Sequence, residues 1–174
     1  MEFSLVVGLL VLLIFGILEM GLAWRSKHTI SDAANGGARS AAVGSSFPDA
    51  DFLALRSVQR SLDRVNIEVD YVVVYRATSP EDLPSPSCMA GNVSAGANPC
   101  NVYRTADLSL LVDDFGCKPT SPDRFYCPTD RSSVVGSLDL VGVWVKGRSQ
   151  SFTGLREYEF TSHVVLPIEP SSAS

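Results

Sequence analysis

The chain has 174 residues, a hydrophobic fraction of 45% and a formal net charge of −5. This acidic balance gives no reason to expect nucleic-acid binding, which depends on Lys and Arg contacts to phosphates. Once an apolar amino-terminal run is set aside, about 130 residues remain, enough for one modest domain with its own core.

The first element is that apolar run. From Phe3 to Trp24 the strongly polar residues are Ser4 and Glu19. A helix of this length measures about 33 Å, which spans a hydrocarbon core about 30 Å thick. A cleaved signal peptide is the alternative, but no basic segment precedes the run and GLAWRSK is a poor cleavage site. We therefore expect a retained transmembrane anchor.

Two features of the sequence indicate opposite orientations for this anchor. Arg25, Lys27 and His28 follow the span, and the positive-inside rule alone would leave the rest of the chain in the cytoplasm. The cysteines downstream indicate the opposite side. A basic leader ahead of Glu2 would remove the conflict, and we treat its existence as a hypothesis.

All four cysteines lie in a Pro-, Ser- and Gly-rich stretch: Cys88, Cys100, Cys117 and Cys127. Their spacing matches neither a C-x-x-C zinc site nor a redox motif. We expect two disulfides formed outside the cytoplasm. The sequential pairing closes two short loops and is our prediction, but three pairings are open, and four unpaired buried thiols are an alternative.

Beyond Trp24 the helical pattern continues. Small or apolar residues recur on one helix face: Ile30, Ala33, Ala34, Gly37, Ala38, Ala41 and Ala42. Small residues at every fourth position let another helix or strand approach closely. Contact with a partner and packing of the helix on its own domain are both open. Either way we predict one helix of about 40 residues, half in lipid, in which Gly36-Gly37 is the place for a bend.

A second helix is predicted over residues 49–65, after the break at SSFPD. Asp49 or Asp51 can cap its start. Its inner face is apolar: Phe52, Leu55, Val58, Leu62 and Val65. Another face carries three arginines at four-residue spacing: Arg56, Arg60 and Arg64. Such a stripe is usually a solvated surface, although lipid phosphates or an acidic partner would also suit it.

Three segments with alternating apolar residues follow, at 66–76, 137–147 and 156–166, and predict strands. The apolar positions of the first are Ile67, Val69, Tyr71, Val73 and Tyr75. Those of the other two are Val141, Val143 and Val145, then Tyr158, Phe160, Val164 and Leu166. We expect an α+β fold in which the second helix packs on a small antiparallel sheet.

Between the first two strands lies an insertion, residues 78–134, that holds all the cysteines. A loop this long is usually functional or pinned down, and the disulfides would pin it. Within it, VYRTADLSLLVDDF is predicted as a helix or an edge strand. The domain organisation is thus residues 1–45 for the anchor and extended helix, and 46–174 for the head.

Catalytic chemistry has little support. The chain has two histidines, His28 and His163, and no nucleophile elbow, zinc-binding helix or phosphate-binding glycine loop. Asp113, Asp114 and Asp123 lack a ligand spacing and are better explained as surface acids. We expect no enzyme, cofactor, metal or small-molecule substrate, and a structural or assembly component instead.

Three stretches together resemble a known family. They are EFSLVVGLLVLLIFGILEMG (residues 2–21), AANGGARSAA (residues 33–42) and VVLPIEP (residues 164–170). Three features are typical of TadE-like proteins: a Glu-Phe pair opening an apolar helix, a Phe-Gly-Ile/Leu-x-Glu element followed by an apolar residue and Gly (here residues 15–21), and an Ala-Ala-x-x-Gly-Ala-Arg block. These are minor pilins or pseudopilins of the tight adherence (Tad) branch of type IV pili.

The resemblance implies roles for individual residues. In type IV pilin-like proteins a glutamate near the mature amino terminus pairs with the terminal ammonium of a neighbouring subunit, and such pairing makes a buried charge tolerable. By position Glu2 takes this role, with Phe3 beside it; an exposed residue at the headgroups is the alternative. The chain as given departs from the pattern, since no basic leader precedes Glu2. Glu19 is expected at the membrane boundary, reaching water or pairing with Arg25.

The implied partners are other pilin or pseudopilin subunits, the pilus assembly platform and membrane lipid. The expected subunit contacts are Glu2, Phe3, Glu19 and the small-residue face (Ala33, Ala34, Gly37, Ala38, Ala41 and Ala42). The protein would be a single-pass plasma membrane protein with an extracytoplasmic head, or part of an extracellular pilus. A surface protein whose head binds a partner without polymerising is the alternative, and a membrane-tethered hydrolase would need a polar site around His163.

Overall fold

The structure is a computed structural model that describes residues 2–44, 46–63, 65, 67–154 and 156–170, without the side chains of residues 2–5. Its helices are α1 (Glu2–Gly44), α2 (Ala50–Leu62) and the short α3 (Pro86–Met89), and its strands are β1 (Glu68–Ala77), β2 (Cys100–Tyr103), β3 (Leu140–Gln150) and β4 (Glu157–Pro167). Three short 3-10 turns lie at Thr105–Ser109, Val112–Asp114 and Pro128–Asp130.

Helix α1 is continuous over 43 residues, so the predicted extended helix is confirmed. Its two halves have opposite environments. From residue 6 to Trp24 nearly every side chain is exposed, whereas from Ser26 onward one face is buried in the head. Gly36 and Gly37 lie within the helix without ending it. One helix therefore joins an apolar protrusion to a packed domain.

The strands form one antiparallel sheet in the order β2-β1-β3-β4. The α+β class with a small antiparallel sheet is therefore confirmed. The sheet has one strand more than the three predicted from alternation. The additional strand, β2, begins at Cys100 in the insertion and pairs with β1. Only the first residues of VYRTADLSLLVDDF are in this edge strand, and the rest form 3-10 turns instead of a helix.

Strand β1 does not keep its predicted apolar residues on one face. The pairing with β3 shifts register between Val69 and Tyr71. Such a bulge reverses the faces of the residues that follow it. Val72 and Val74 therefore join the core under the helices, whereas Val73 and Tyr75 pack with Trp144 on the opposite side of the sheet.

The main core lies between the helices and the sheet. The second half of α1 lies on β3 and β4, and α2 packs alongside α1. Val141, Val143 and Val145 of β3 face this core and are completely buried, as predicted. The other face of the sheet is covered by α3 and the disulfide between Cys88 and Cys100.

Candidate functional site: the exposed helix and the head that holds it

The apolar half of α1 is the largest exposed hydrophobic surface among the described residues. Leu12 and Met20 are 75% and 77% exposed, and Trp24 is 69% exposed. The segment is long and apolar enough to cross a membrane, and none of its most apolar window is buried against the rest of the protein. A helix that belonged to a water-soluble core would be covered by its own domain. This half of α1 needs an external apolar environment.

The small-residue face of α1 is packed inside the chain. Ala33, Ala34, Ala38, Ala41 and Ala42 are completely or almost completely buried in the main core. A Cβ atom on Gly37 would lie 2.7 Å from Cγ2 of Val58 and 3.2 Å from Cγ1 of Val143. Of the two open interpretations, the structure shows packing on the chain's own domain. Any effect of this face on assembly therefore acts through the position of the head on the helix.

Glu19 lies on the exposed half of α1 and contacts the head. Its Oε2 atom accepts a hydrogen bond of 3.1 Å from the backbone N–H of Phe152, in the loop between β3 and β4. A hydrogen bond from Tyr158 also reaches Glu19, and it raises the pKa of the Tyr158 hydroxyl. An ion pair with Arg25, one of the alternatives for Glu19, is absent from the described residues, in which Arg25 is exposed. The carboxylate is used within the chain because the loop brings donors to it.

Further contacts fix the helix to the sheet just beyond the apolar half. Ser26 donates to Oγ of Ser149 at 3.2 Å, and Nζ of Lys27 donates to the carbonyl oxygen of Thr161 at 2.7 Å. The junction is therefore a defined contact, and α1 leaves the head in a fixed direction.

The carboxyl-terminal segment also contacts α1. The backbone N–H of Glu169 donates to the carbonyl oxygen of Ala42 at 3.0 Å, and that of Ile168 donates to Asp139. The side chain of Ile168 is buried in the main core. The Glu-Pro ending thus ties the end of β4 to the far end of α1.

A buried polar network joins α2 to the insertion. Asp51 accepts hydrogen bonds from Arg131 (2.6 Å), the hydroxyl of Tyr103 (2.6 Å) and Nδ2 of Asn101 (2.9 Å). All four side chains are buried. Arg131 also donates to the carbonyl oxygen of Tyr126. Sequence reasoning offered Asp51 as a helix cap, but the structure shows it as the centre of this network, while Asp49 precedes α2 without a side-chain cap.

The charges of this network shift the pKa values of its members. Burial, together with the Asp51 carboxylate, raises the pKa of the Tyr103 hydroxyl well above its usual value. Burial is the largest single influence on Arg131 and lowers its pKa, but the charge and hydrogen bond of Asp51, together with Tyr126 and Tyr103, outweigh it and the net shift is upward. Arg131 is therefore a permanent cation, and Asp51 is its partner.

The disulfides are Cys88–Cys100 and Cys117–Cys127, so the predicted sequential pairing is confirmed. The second bond lies in a loop whose Cys117 has a φ of 60°. Asp123, completely buried, accepts hydrogen bonds from the backbone N–H groups of Gly116 and Cys117 and holds this turn. The insertion is thus stapled covalently and by hydrogen bonds.

The remaining candidate residues are Glu2 and Phe3, the arginine stripe of α2, and His163. Glu2 and Phe3 begin α1, but their side chains lie outside the described residues. Arg64 of the arginine stripe also lies outside them, while Arg56 donates to the carbonyl oxygens of Leu108 and Leu110.

His163 lies in β4 opposite Trp144. No group of three or more His, Cys, Asp or Glu residues in the described part of the chain could hold a metal ion.

A comparison with known families is consistent with this arrangement. The family model described as TadE-like protein matches residues 1–39, a range that includes the apolar half of α1 and much of its buried half. No curated protein and no solved structure shows a significant match to the chain. The resemblance to TadE-like proteins is thereby confirmed for the amino-terminal motifs, over residues 1–39.

Proposed function

We propose that the chain is a minor pilin or pseudopilin that primes or takes part in assembly of a Tad-type pilus, a type IV-like filament for surface adhesion. The family match over residues 1–39 suggests a Tad pilus-associated protein and implies association with other pilus components. The observation that carries the proposal is that α1 is one continuous helix with an exposed apolar half and a half embedded in the head.

The exposed half has two environments that satisfy it. In the membrane, lipid chains cover its side chains. In a filament, the helices of neighbouring subunits would have to cover them, because each large apolar side chain left in water costs about 1.5–3 kcal/mol. The subunit therefore leaves the bilayer only together with partners. Close packing and pairing of Glu2 with a neighbour's terminal ammonium would favour the filament over lipid, which is itself apolar.

The disulfides of the head support a position of the head outside the cytoplasm. Its two disulfides form and persist in oxidising compartments. The apolar half of α1 would anchor the protein in the plasma membrane as a single pass before assembly, with the head outside. After assembly the head would lie on the surface of the pilus.

The test is fractionation of cells that make the pilus. Wild type, Glu2→Ala and the matched control Glu81→Ala, which removes an exposed carboxylate of the head, are sheared, and the filament and membrane fractions are blotted. We expect wild type and Glu81→Ala in the filament fraction and Glu2→Ala in the membrane only. Wild-type protein confined to the membrane would remove the filament-subunit function and leave either basal priming or an anchored surface protein. An unchanged Glu2→Ala distribution would favour an anchored surface protein that does not polymerise.

A further inference from the structure

The loop between β3 and β4 reaches down the apolar half of α1. The rings of Phe152 and Phe15 lie 6.1 Å apart, and the backbone N–H of Phe152 donates to Glu19. Along the helix axis Glu19 lies about 7 Å below Trp24, and Phe15 lies about 13 Å below it. Part of the head therefore lies at the level of the helix segment that needs an apolar environment.

Hydrogen bonds at the base of the loop hold the ring of Phe152 on the outside of the head. Ser151 closes this base, since its N–H donates to the carbonyl oxygen of Arg156 and its Oγ accepts from the Arg156 N–H. Its carbonyl oxygen also accepts from Gly154, which has a φ of +70°. On this closed turn Phe152 is 59% exposed, although it touches α1.

We propose that Phe152 forms a second membrane contact, in which the head rests on the bilayer with this ring at the boundary between headgroups and hydrocarbon. The inference goes beyond the pilus role and rests only on α1 crossing a bilayer. With Trp24 at the headgroup level, where tryptophan is enriched, a headgroup layer about 5–8 Å deep puts Glu19 at the hydrocarbon boundary. Phe152 then meets lipid at the same level.

The contact between Glu19 and the loop fits this position. A loop at the depth of lipid is tolerated only if its backbone groups are satisfied by protein, and Glu19 accepts the N–H of Phe152 at the tip. A carboxylate at the membrane boundary is likewise stabilised by donors, and it receives them from Phe152 and Tyr158. Glu19 is thus a positioning residue that sets the depth of the loop.

The test uses the full-length chain in vesicles of phosphatidylethanolamine and phosphatidylglycerol at a low protein-to-lipid ratio. Both described disulfides consume all four cysteines, so a single introduced cysteine takes a fluorescent label. Phe152→Cys is compared with Val135→Cys, which is 79% exposed. Val135 precedes β3 and so lies at the opposite end of a strand about 33 Å long.

We expect lipids carrying a shallow nitroxide to quench the label at position 152 several-fold more than the label at 135. Adding Glu19→Ala should reduce quenching at 152 and leave 135 unchanged. Equal quenching at 152 and 135 would overturn the proposal. The proposal would also be overturned if the label at 152 were unquenched at the low protein-to-lipid ratio and changed its signal only at a high ratio. A neighbouring subunit, rather than lipid, would then be its partner. Filament formation plays no part in this experiment, so its result is independent of the proposed function.

Discussion

The buried pair of Asp51 and Arg131 gives the sharpest prediction about what holds the head together. Asp51→Asn removes the charge that neutralises Arg131, and Arg131 cannot lose its own charge. Breaking one side of a buried ion pair costs about 3–5 kcal/mol. Since domains of this kind are stable by about 5–15 kcal/mol in total, the substitution should remove a large share of the free energy of unfolding.

Removing the other partner of the pair, Arg131, should cost less of the free energy of unfolding. After Arg131→Met, the Asp51 carboxylate still accepts hydrogen bonds from Tyr103 and Asn101. After Asp51→Asn, by contrast, Arg131 keeps its full charge and donates to the neutral carbonyl oxygen of Tyr126. The double variant removes both charges, so its loss should be smaller than the sum of the two single losses by about 1–3 kcal/mol. The expected order of destabilisation is therefore Asp51→Asn before Arg131→Met, with a favourable coupling between them.

The assay is urea denaturation of the full-length chain in detergent micelles. The fluorescence of Trp144, buried in the sheet, reports unfolding of the head in a Trp24→Phe background, because the chain has two tryptophans. Asp63→Asn is the matched control, since Asp63 is exposed just after the same helix. A loss below about 1 kcal/mol for Asp51→Asn, or additive single losses, would refute the reasoning.

Three further predictions concern the same head. Gly37→Val should destabilise it by about 1–3 kcal/mol through collision with Val58 and Val143, whereas Asn35→Val, on the exposed side of α1, should not; urea midpoints compare the two. Replacing both Cys88 and Cys100 by Ser should cost about 3 kcal/mol by freeing a short loop in the unfolded chain, and the unfolding free energy of oxidised wild type is the reference. Burial raises the pKa values of Tyr75, Tyr103 and Tyr126, so the unfolded chain loses these protons first as the pH rises. These tyrosines should not affect the free energy of unfolding below pH 10, but above pH 10 each should lower it by up to about 1.4 kcal/mol per pH unit. Urea titrations at pH 8 to 11 measure this. A free energy of unfolding that does not change over this range would contradict the burial of the three hydroxyls.

Much of the fold could be predicted because its signals are local. The length of the apolar run and the four-residue spacing of small residues define α1, and alternation defines β1, β3 and β4. The sequential disulfide pairing was favoured because it closes two short loops, although three pairings were open from the sequence. Strand β2 could not be predicted with certainty, because its four residues are held by pairing with β1 and by Cys100 rather than by a pattern of their own.

The side of the sheet that each β1 residue faces and the environment of Glu19 were harder to predict, because both depend on distant parts of the chain. The bulge between Val69 and Tyr71 is set by pairing with β3, and no residue type in the sequence indicates it. Glu19 meets a loop more than a hundred residues away. Its neighbours in sequence indicated only water, headgroups or Arg25 as its surroundings. Asp51 was similarly judged by its neighbours in sequence, whereas its partners come from the insertion.

The central claim is that residues 6–24 of α1 pack against other pilus subunits. The most direct measurement is photocrosslinking in cells that assemble the pilus, with a benzophenone amino acid at Leu12, which is exposed on the apolar half, and at Val135 as the control in the head. The account predicts that Leu12 crosslinks to pilin subunits identified by mass spectrometry, and that Glu2→Ala abolishes these adducts. Adducts with lipid alone at position 12, in cells that carry intact pili, would contradict it.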